Sequence, residues 1–137
     1  MTRNILLSAL FLTLFVGCKN AEGPQEIAER TLVAYLRCSL SDVEQVAYPQ
    51  VVEQVRWRVS NITKDEMQQM LQTEPDIEVE ECSQEGDMCR VMLRASDALL
   101  IGDVKQKASI GEQRFSIILV KDTENASWRV ATIEALP

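Results

Sequence analysis

The spacing of apolar residues changes at Pro75, and this change does most to limit the folds open to the chain. Before Pro75, apolar side chains recur at helical spacing, as on the buried face of an α-helix. After Pro75 they alternate with polar residues, as in half-buried β-strands. Helices followed by successive antiparallel strands are typical of α+β domains. We therefore predict an α+β fold in which N-terminal helices pack on a curved antiparallel sheet.

Two helices are predicted at the start of the domain. Pro24 suits a first helical position because its fixed φ angle is already helical, and the apolar stripe that follows predicts a helix over residues 24–39. Ser41 followed by Glu44 is a capping-box pattern, in which side chains and backbone exchange hydrogen bonds at a helix start. It predicts a second, short helix, which ends near Pro49.

The next segment, residues 51–60, is ambiguous. Its valines fit the helical period, but together with Trp57 they also fit the alternation of a strand. We predict a helix or a mixed element. Thr63 with Glu66 is a second capping-box pattern, and it predicts a helix over residues 64–73.

Alternating apolar residues predict the strands of the sheet. These strands begin at Ile77, run over residues 89–95 with a continuation or a further strand over 98–108, and then occupy residues 115–120 and 128–133.

Residues 1–17 have the build of a secretory signal peptide. Arg3 supplies a basic start, and an apolar run over residues 5–16 follows it. This run is shorter than the roughly 20 apolar residues of a membrane-spanning helix. An uncleaved anchor, or a soluble secreted protein cut near Gly17, is the alternative.

Residues 14–18 read Leu-Phe-Val-Gly-Cys and resemble a bacterial lipobox. The resemblance implies cleavage before Cys18, a diacylglyceryl thioether on its sulfur and acylation of the new amino group. It implies the bacterial cell envelope as location and the lipid bilayer as a partner, because several acyl chains anchor a protein stably. Lys19 favours the outer membrane, on its periplasmic face, in a Gram-negative host. Residues 18–23 then form a lipidated tether and residues 24–137 a single α+β domain.

The order of elements and several short motifs resemble the nuclear transport factor two-like, or cystatin-like, superfamily, especially its small bacterial lipoproteins. The motifs are Ala34-Tyr35-Leu36, Leu40-Ser41-Asp42-Val43, Tyr48-Pro49-Gln50-Val51-Val52-Glu53 and Trp128-Arg129-Val130. The resemblance implies a cone-shaped domain with a concavity between helices and sheet. Some members of the superfamily are isomerases that use a carboxylate base inside this cone.

Charge and composition limit the chemistry of the domain. The formal net charge is −7, and an acidic chain is a poor partner for nucleic acid. The chain has no histidine, which removes the commonest general base and a common metal ligand. We predict no catalytic, cofactor or metal site. Asp97, Asp103 and Glu112 are the carboxylates nearest the strands, and each is more simply a solvated residue than an isomerase base.

Cys82 and Cys89 flank a predicted β-hairpin with Gly86 at its tip. A four-residue loop over residues 84–87 would make the two cysteines a non-hydrogen-bonded pair, whose close approach suits a disulfide. Export to an oxidising compartment permits the bond, and we predict it. Cys38 is then a packed free thiol, and the alternative is that it pairs with Cys82 or Cys89.

Two other groups of residues have both a structural and a functional interpretation. Arg56-Trp57-Arg58 predicts a buried indole between two solvated arginines, with a basic-aromatic contact to a membrane or ligand as the alternative. The methionines either pack in the core or line an adaptable apolar pocket. They are Met67, Met70, Met88 and Met92.

These features together predict a non-catalytic, membrane-anchored binding module for an envelope partner protein or a small apolar ligand. One alternative is a toxin-immunity or envelope-stress accessory protein, whose acidity would oppose a basic effector. The other is a small isomerase or dehydratase that uses a buried carboxylate.

Overall fold

The computed structural model describes residues 22–100, 109–124 and 126–137, so the leader and Cys18 lie outside the described residues. Within these ranges four helices precede four strands, and the predicted α+β fold is confirmed. The helices are α1 (Pro24–Leu36), α2 (Leu40–Val46), α3 (Pro49–Ser60) and α4 (Lys64–Gln72), and the strands are β1 (Asp76–Glu85), β2 (Met88–Leu100), β3 (Ser109–Lys121) and β4 (Trp128–Ala135).

Helix α1 ends at Leu36, three residues before its predicted end at residue 39. Cys38 adopts a φ of 55°, in the left-handed region. The Ser39 N–H donates to the Ala34 carbonyl at 2.8 Å, and the Cys38 N–H donates to the Tyr35 carbonyl at 3.2 Å. These two bonds form a Schellman motif, which satisfies the last carbonyls of a helix and turns the chain away. The apolar stripe continued past this turn, and so the predicted helix was too long.

The capping box predicted at Ser41 and Glu44 is wrong, because helix α2 begins at Leu40. Ser39 is the N-cap residue, and its hydroxyl donates to the Asp42 carboxylate at 2.7 Å. Ser41 therefore lies inside the first turn. The Schellman turn leads directly to Leu40, which packs against the core and sets the start of the helix.

The ambiguous stretch, residues 51–60, is helical throughout and belongs to α3, with Pro49 at its first turn. The capping box that begins α4 is confirmed. The Glu66 N–H donates to the Thr63 hydroxyl at 3.2 Å, and the Thr63 N–H donates to the Glu66 carboxylate at 2.9 Å. Four backbone donors at a helix start lack helical partners, and this exchange satisfies two of them.

The four strands form one antiparallel sheet in the order β1-β2-β3-β4. Its pairing register shifts three times, between Val79 and Glu81, between Ala95 and Ala98, and between Ile118 and Leu119. An extra residue in one strand bends that strand and increases its twist, and so the sheet curves. Helix α1 packs against all four strands.

The concave face of the sheet is filled by side chains. From α1, four apolar residues that are each at most 5% exposed pack into it, namely Ile27, Ala28, Leu32 and Leu36. The strands contribute Val91, Leu93, Ala95, Phe115, Ile117, Leu119, Val130 and Ile133 to the same cluster. The core of the described residues therefore occupies the space that would otherwise form the interior of a cone.

Candidate functional site

An open groove of about 740 Å³ lies on the helical layer, between α1, α2 and the end of α4. Arg30 and Val33 line it from α1, and Arg37 lines it from the C-cap position directly after that helix. Residues three and four apart share one side of a helix, and these three lie roughly opposite Leu32, which is buried on the sheet. The apolar part of the groove is completed by Val46 and by Leu71, which is 62% exposed.

The groove contains two arginines of an otherwise acidic chain. Arg30 Nη1 lies 3.1 Å from Glu22 Oε1 in a solvent-exposed ion pair. Arg37 Nη2 donates to the Leu71 carbonyl at 3.5 Å, at the limit of a hydrogen bond. Within the described residues no carboxylate pairs with Arg37. Most of the guanidinium donors of Arg37 are thus free for a ligand.

The opposite wall of the groove carries Asp42, with Gln45 beside it. The Ser39 hydroxyl donates to this carboxylate at 2.7 Å and holds it against the start of α2. The groove thus presents two guanidinium groups on one wall, one carboxylate on the other and aliphatic side chains between them. This arrangement suits an elongated ligand with carboxylate and apolar groups.

Arg58 is a buried cation close to the end of α1. Only 6% of it is exposed, and its guanidinium carbon lies 4.7 Å from the Tyr35 ring centroid. Its Nη2 donates to the Leu36 carbonyl at 3.4 Å and to the Leu99 carbonyl at 3.3 Å. Its Nε has no hydrogen-bond partner in the described part of the chain. Arg58 thereby joins the ends of α1 and β2, and it does not line the groove.

The structure reverses the burial predicted for Arg56-Trp57-Arg58. Trp57 is 51% exposed, Arg58 is buried, and only Arg56 is solvated as expected. The reason is the helical period of α3, which places residue 58 on the same side as Val51 and Val55. The alternation that would bury Trp57 together with the valines belongs to a strand, and it does not apply in a helix.

A second arginine stacks on a tyrosine at the end of α2. The Arg129 guanidinium lies 5.1 Å from the Tyr48 ring centroid, and its Nη2 donates to the Ala47 carbonyl at 3.1 Å. The Tyr48 N–H in turn donates to the Val130 carbonyl at 2.9 Å. Arg129 and Arg58 each join the end of a helix to a strand of the sheet, and so we assign both arginines a structural role.

The two described carboxylates that were considered as isomerase bases, Asp97 and Glu112, lie outside the core. Glu112 pairs with Arg94 at 3.0 Å on the exposed face of the sheet. Asp97 is exposed at the β2 bulge with a φ of 54°, and Asp103 lies outside the described residues. The buried polar side chains of the described segments are Thr31, Arg58 and Ser116, so no carboxylate is among them.

Glu80 is a carboxylate with a shifted pKa. It accepts hydrogen bonds from Arg114 at 2.7 Å and from Arg94 at 2.8 Å. The bond from Arg114, with the positive charges of both guanidinium groups, lowers the pKa of Glu80 below its usual value. A carboxylate that stays ionised in this way suits an ion pair between strands and not a general base.

The β1–β2 hairpin brings Cys82 and Cys89 together, but not as a directly opposite pair. Gln84 lies opposite Cys89, and Val91 lies opposite Cys82. The predicted four-residue loop is wrong, because the loop contains only residues 86–87. Gly86 has a φ of 60° at the first loop position, as a type II′ turn requires, and this turn matches the twist of the strands.

The two sulfur atoms of this hairpin lie 3.6 Å apart and belong to free thiols. Cys82 is exposed, whereas Cys89 is buried. Burial, with the hydrogen bond between the two thiols as a further cause, raises the pKa of Cys89 to about 11. Cys38 is half-buried in the turn after α1, and not on the buried helix face where it was predicted. The disulfide between Cys82 and Cys89 stays a prediction.

None of the four methionines Met67, Met70, Met88 and Met92 lines the groove. Met70 is buried, Met88 is 46% exposed, and Met67 and Met92 are half-buried. No group of three or more cysteine, aspartate or glutamate side chains in the described ranges is arranged to hold a metal ion. None of the helices among these residues is long and apolar enough to cross a membrane.

Sequence reasoning did not identify the groove. The helix dipole already accounts for arginines late in a helix, and so it gave no reason to ask whether Arg30 and Arg37 lie on the same side. The available signal for the groove was their spacing of seven residues, which corresponds to about two helical turns and places both side chains on one side. Leu71, from a helix more than thirty residues later, carries no such signal.

Comparison with known proteins gives no family. No protein-family model matches the sequence, and no curated protein matches it significantly. A SEC-C motif containing protein from Rhodopseudomonas palustris is similar in structure, with 15% identity, a TM-score of 0.49 and coverage of 83% of this chain and 79% of that one. A de novo designed β-sheet protein has 13% identity, a TM-score of 0.42 and coverage of 82% and 86%.

An NTF2-like protein involved in plasmid conjugation is also similar. It has 12% identity and a TM-score of 0.41, and the match covers 82% of this chain and 47% of that one. At such identities and TM-scores, none of these proteins transfers a fold family or a function to this chain.

Proposed function

We propose that this chain is a lipoprotein of the bacterial cell envelope, and that its α+β domain is a non-catalytic binding module for a partner protein. The lipid anchor is Cys18 and the binding site is the groove on the helical layer. The observation that carries the binding role is Arg37, whose guanidinium lines an open groove without a carboxylate partner among the described residues.

The tether would keep the groove close to the lipid surface. Only residues 19–23 separate Cys18 from α1, and extended they reach about 16–18 Å. Arg30 lies fewer than two turns from the start of α1, and its partner Glu22 belongs to the tether. A partner that reaches this groove would therefore be at the membrane as well.

The groove favours an acidic and aliphatic segment of a protein as its occupant. Two guanidinium groups on one wall match carboxylates, and Val33, Val46 and Leu71 match aliphatic side chains. A small apolar ligand has less support, because side chains fill the concave face of the sheet. The arginines also favour an acidic partner over the basic effector that an immunity protein would oppose.

We also infer that the domain belongs to the NTF2-like superfamily. Its support is the order of elements, with helices before a strongly bent four-stranded meander, together with the motifs at residues 48–53 and 128–130.

Lipidation is tested by metabolic labelling of bacterial cells with an alkyne analogue of palmitate. We expect the full chain to be labelled and to sediment with membranes, because Cys18 is acylated. Cys18→Ser should abolish the label and release the protein from the membrane fraction. Cys38→Ser is the matched control, and this variant should keep both the label and the sedimentation with membranes. A Cys18→Ser protein that still carries the label would refute the anchor.

The groove is tested by selecting peptides from a display library on the full chain purified in detergent. We expect enrichment of sequences in which Asp or Glu alternates with aliphatic residues. Arg37→Glu should weaken the selected peptides at least about tenfold, because a hydrogen bond to a charged group contributes about 1.5–3 kcal/mol.

The matched control is Arg56→Glu. Arg56 is an exposed arginine of α3, outside the groove, that pairs with Glu44 at 3.7 Å and with Glu53 at 3.5 Å. This variant makes the same charge change and should leave peptide affinity within about twofold. Enrichment of basic peptides, or equal losses in both variants, would contradict the groove as the binding site.

A further inference from the structure

We propose that Cys82 and Cys89 form a reversible dithiol–disulfide site at the β1–β2 hairpin, which exchanges with protein or low-molecular-weight disulfides and is not a permanent structural bond. The site is separate from the groove, and it does not depend on the binding role proposed above.

The register of the hairpin favours a strained disulfide. Cys82 lies opposite Val91 and Cys89 lies opposite Gln84, so the two cysteines are diagonal neighbours. Diagonal residues of an antiparallel pair have Cα atoms about 7–8 Å apart, with Cβ atoms somewhat closer, whereas a relaxed disulfide needs Cβ atoms about 3.5–4.5 Å apart. The sulfur atoms still lie in contact, at 3.6 Å. Bond formation must therefore draw the strands together, and a strained disulfide is more easily reduced.

A β-bulge makes this contact possible. The register shift between Val79 and Glu81 leaves Glu80 as an extra residue of β1. Without it, strand alternation would place Cys82 on the opposite face from Val79, away from Cys89. With it, Cys82 shares the face of Cys89 and Val91, and Glu80 meets Arg94 and Arg114 on the other face.

The two thiols differ in exposure, and this difference sets the order in which they react. Cys82 is exposed, so a disulfide partner can approach its sulfur, whereas Cys89 is buried. Burial also raises the pKa of Cys89 to about 11, which leaves little thiolate there. Cys82 is therefore the thiol that reacts first, and Cys89 is the thiol that resolves.

The exchange balances as follows. The Cys82 thiolate attacks one sulfur of an external disulfide, the S–S bond of that disulfide breaks, and one half leaves as a thiolate. The Cys89 thiol then gives its proton to this thiolate or to water and attacks Cys82 Sγ. The second half leaves as a thiolate, so two protein thiols are oxidised and one external disulfide is reduced to two thiols.

The test uses the full chain with Cys38→Ser, so that the hairpin pair is the only pair of thiols in the domain. The folded protein is equilibrated with glutathione disulfide and then with millimolar reduced glutathione, and free thiols are trapped by alkylation. The tryptic peptide over residues 65–90 contains both cysteines and is two hydrogen atoms lighter when they are bonded. We expect the bond to form in the first step and to open in the second.

The matched control moves one sulfur to the directly opposite position, with Cys82→Ser and Gln84→Cys in the same background. Its relaxed disulfide should stay closed in the buffer that opens the natural pair. A second arm uses Cys89→Ser, in which the mixed disulfide with glutathione should accumulate on Cys82. Circular dichroism confirms that each variant is folded. A natural pair that never oxidises, or that stays as closed as the control, would overturn the proposal.

Discussion

The two sides of helix α1 differ sharply in what covers them. On one side Ala28 and Leu32 have no exposed surface and pack into the concave face of the sheet. On the other side Arg30 and Arg37 line a groove that is open to solvent. One helix thus forms the centre of the core and one wall of the candidate binding site.

In the proposed binding role, function and stability depend on different sides of this helix. The buried side is fixed by close packing, in which the loss of even one methylene is felt. The groove side contributes exposed polar contacts, which have small effects on stability. The exposed residues of the groove can therefore change at little cost in stability, whereas residues of the buried side cannot.

The largest effect should come from the buried side. We expect Leu32→Ala to lower the free energy of unfolding by about 2–5 kcal/mol, because it removes a fully buried side chain and leaves a cavity among α1 and the strands. Urea unfolding followed by circular dichroism measures the change.

The control is Arg37→Ala on the groove side. Arg37 has one long hydrogen bond, at 3.5 Å, and no described ion pair, so stability should change by less than about 0.5 kcal/mol. Equal losses in the two variants would show that the groove side is also part of the core.

A smaller effect is expected at the end of α1, where the two sides meet. Arg58→Met keeps an aliphatic chain but removes the donors to the Leu36 and Leu99 carbonyls and the stack on Tyr35. We expect a loss of about 1–3 kcal/mol, because two carbonyl groups lose their partner in a buried position. Urea unfolding measures it.

Arg56→Met is the matched variant two residues earlier. Arg56 is solvated, and its ion pairs are longer than 3.4 Å, so this change should stay within about 0.5 kcal/mol. If both variants unfold alike, the buried guanidinium contributes nothing to stability.

Local patterns were sufficient for the types of most elements, with residues 51–60 as the exception. The helical period before Pro75 and the alternation after it predicted helices and then strands, and the structure confirms both. The capping box of Thr63 and Glu66 was read correctly because its hydrogen bonds involve only neighbouring residues. The similar pattern at Ser41 failed, since the turn at Cys38 and the packing of Leu40 decide where α2 begins.

Long-range contacts decided the features that sequence reasoning missed. The helical period of α3 turns residue 58 inward, and the guanidinium of Arg58 stays buried there because it donates to carbonyls at positions 36 and 99, on two other elements. The groove needs Leu71 of α4 beside Arg37 at the end of α1. No local pattern connects residues so far apart along the chain.

The sequence by itself determined the order of helices and strands and the apolar side of most of them, because hydrophobic spacing reports which side of an element avoids water. Only the tertiary structure decided that α1 fills the concave face and leaves a groove behind it, and that the bulge at Glu80 brings Cys82 to Cys89. Periodicity describes one element at a time, whereas the filling of a concavity and the register of a hairpin depend on how elements pack together.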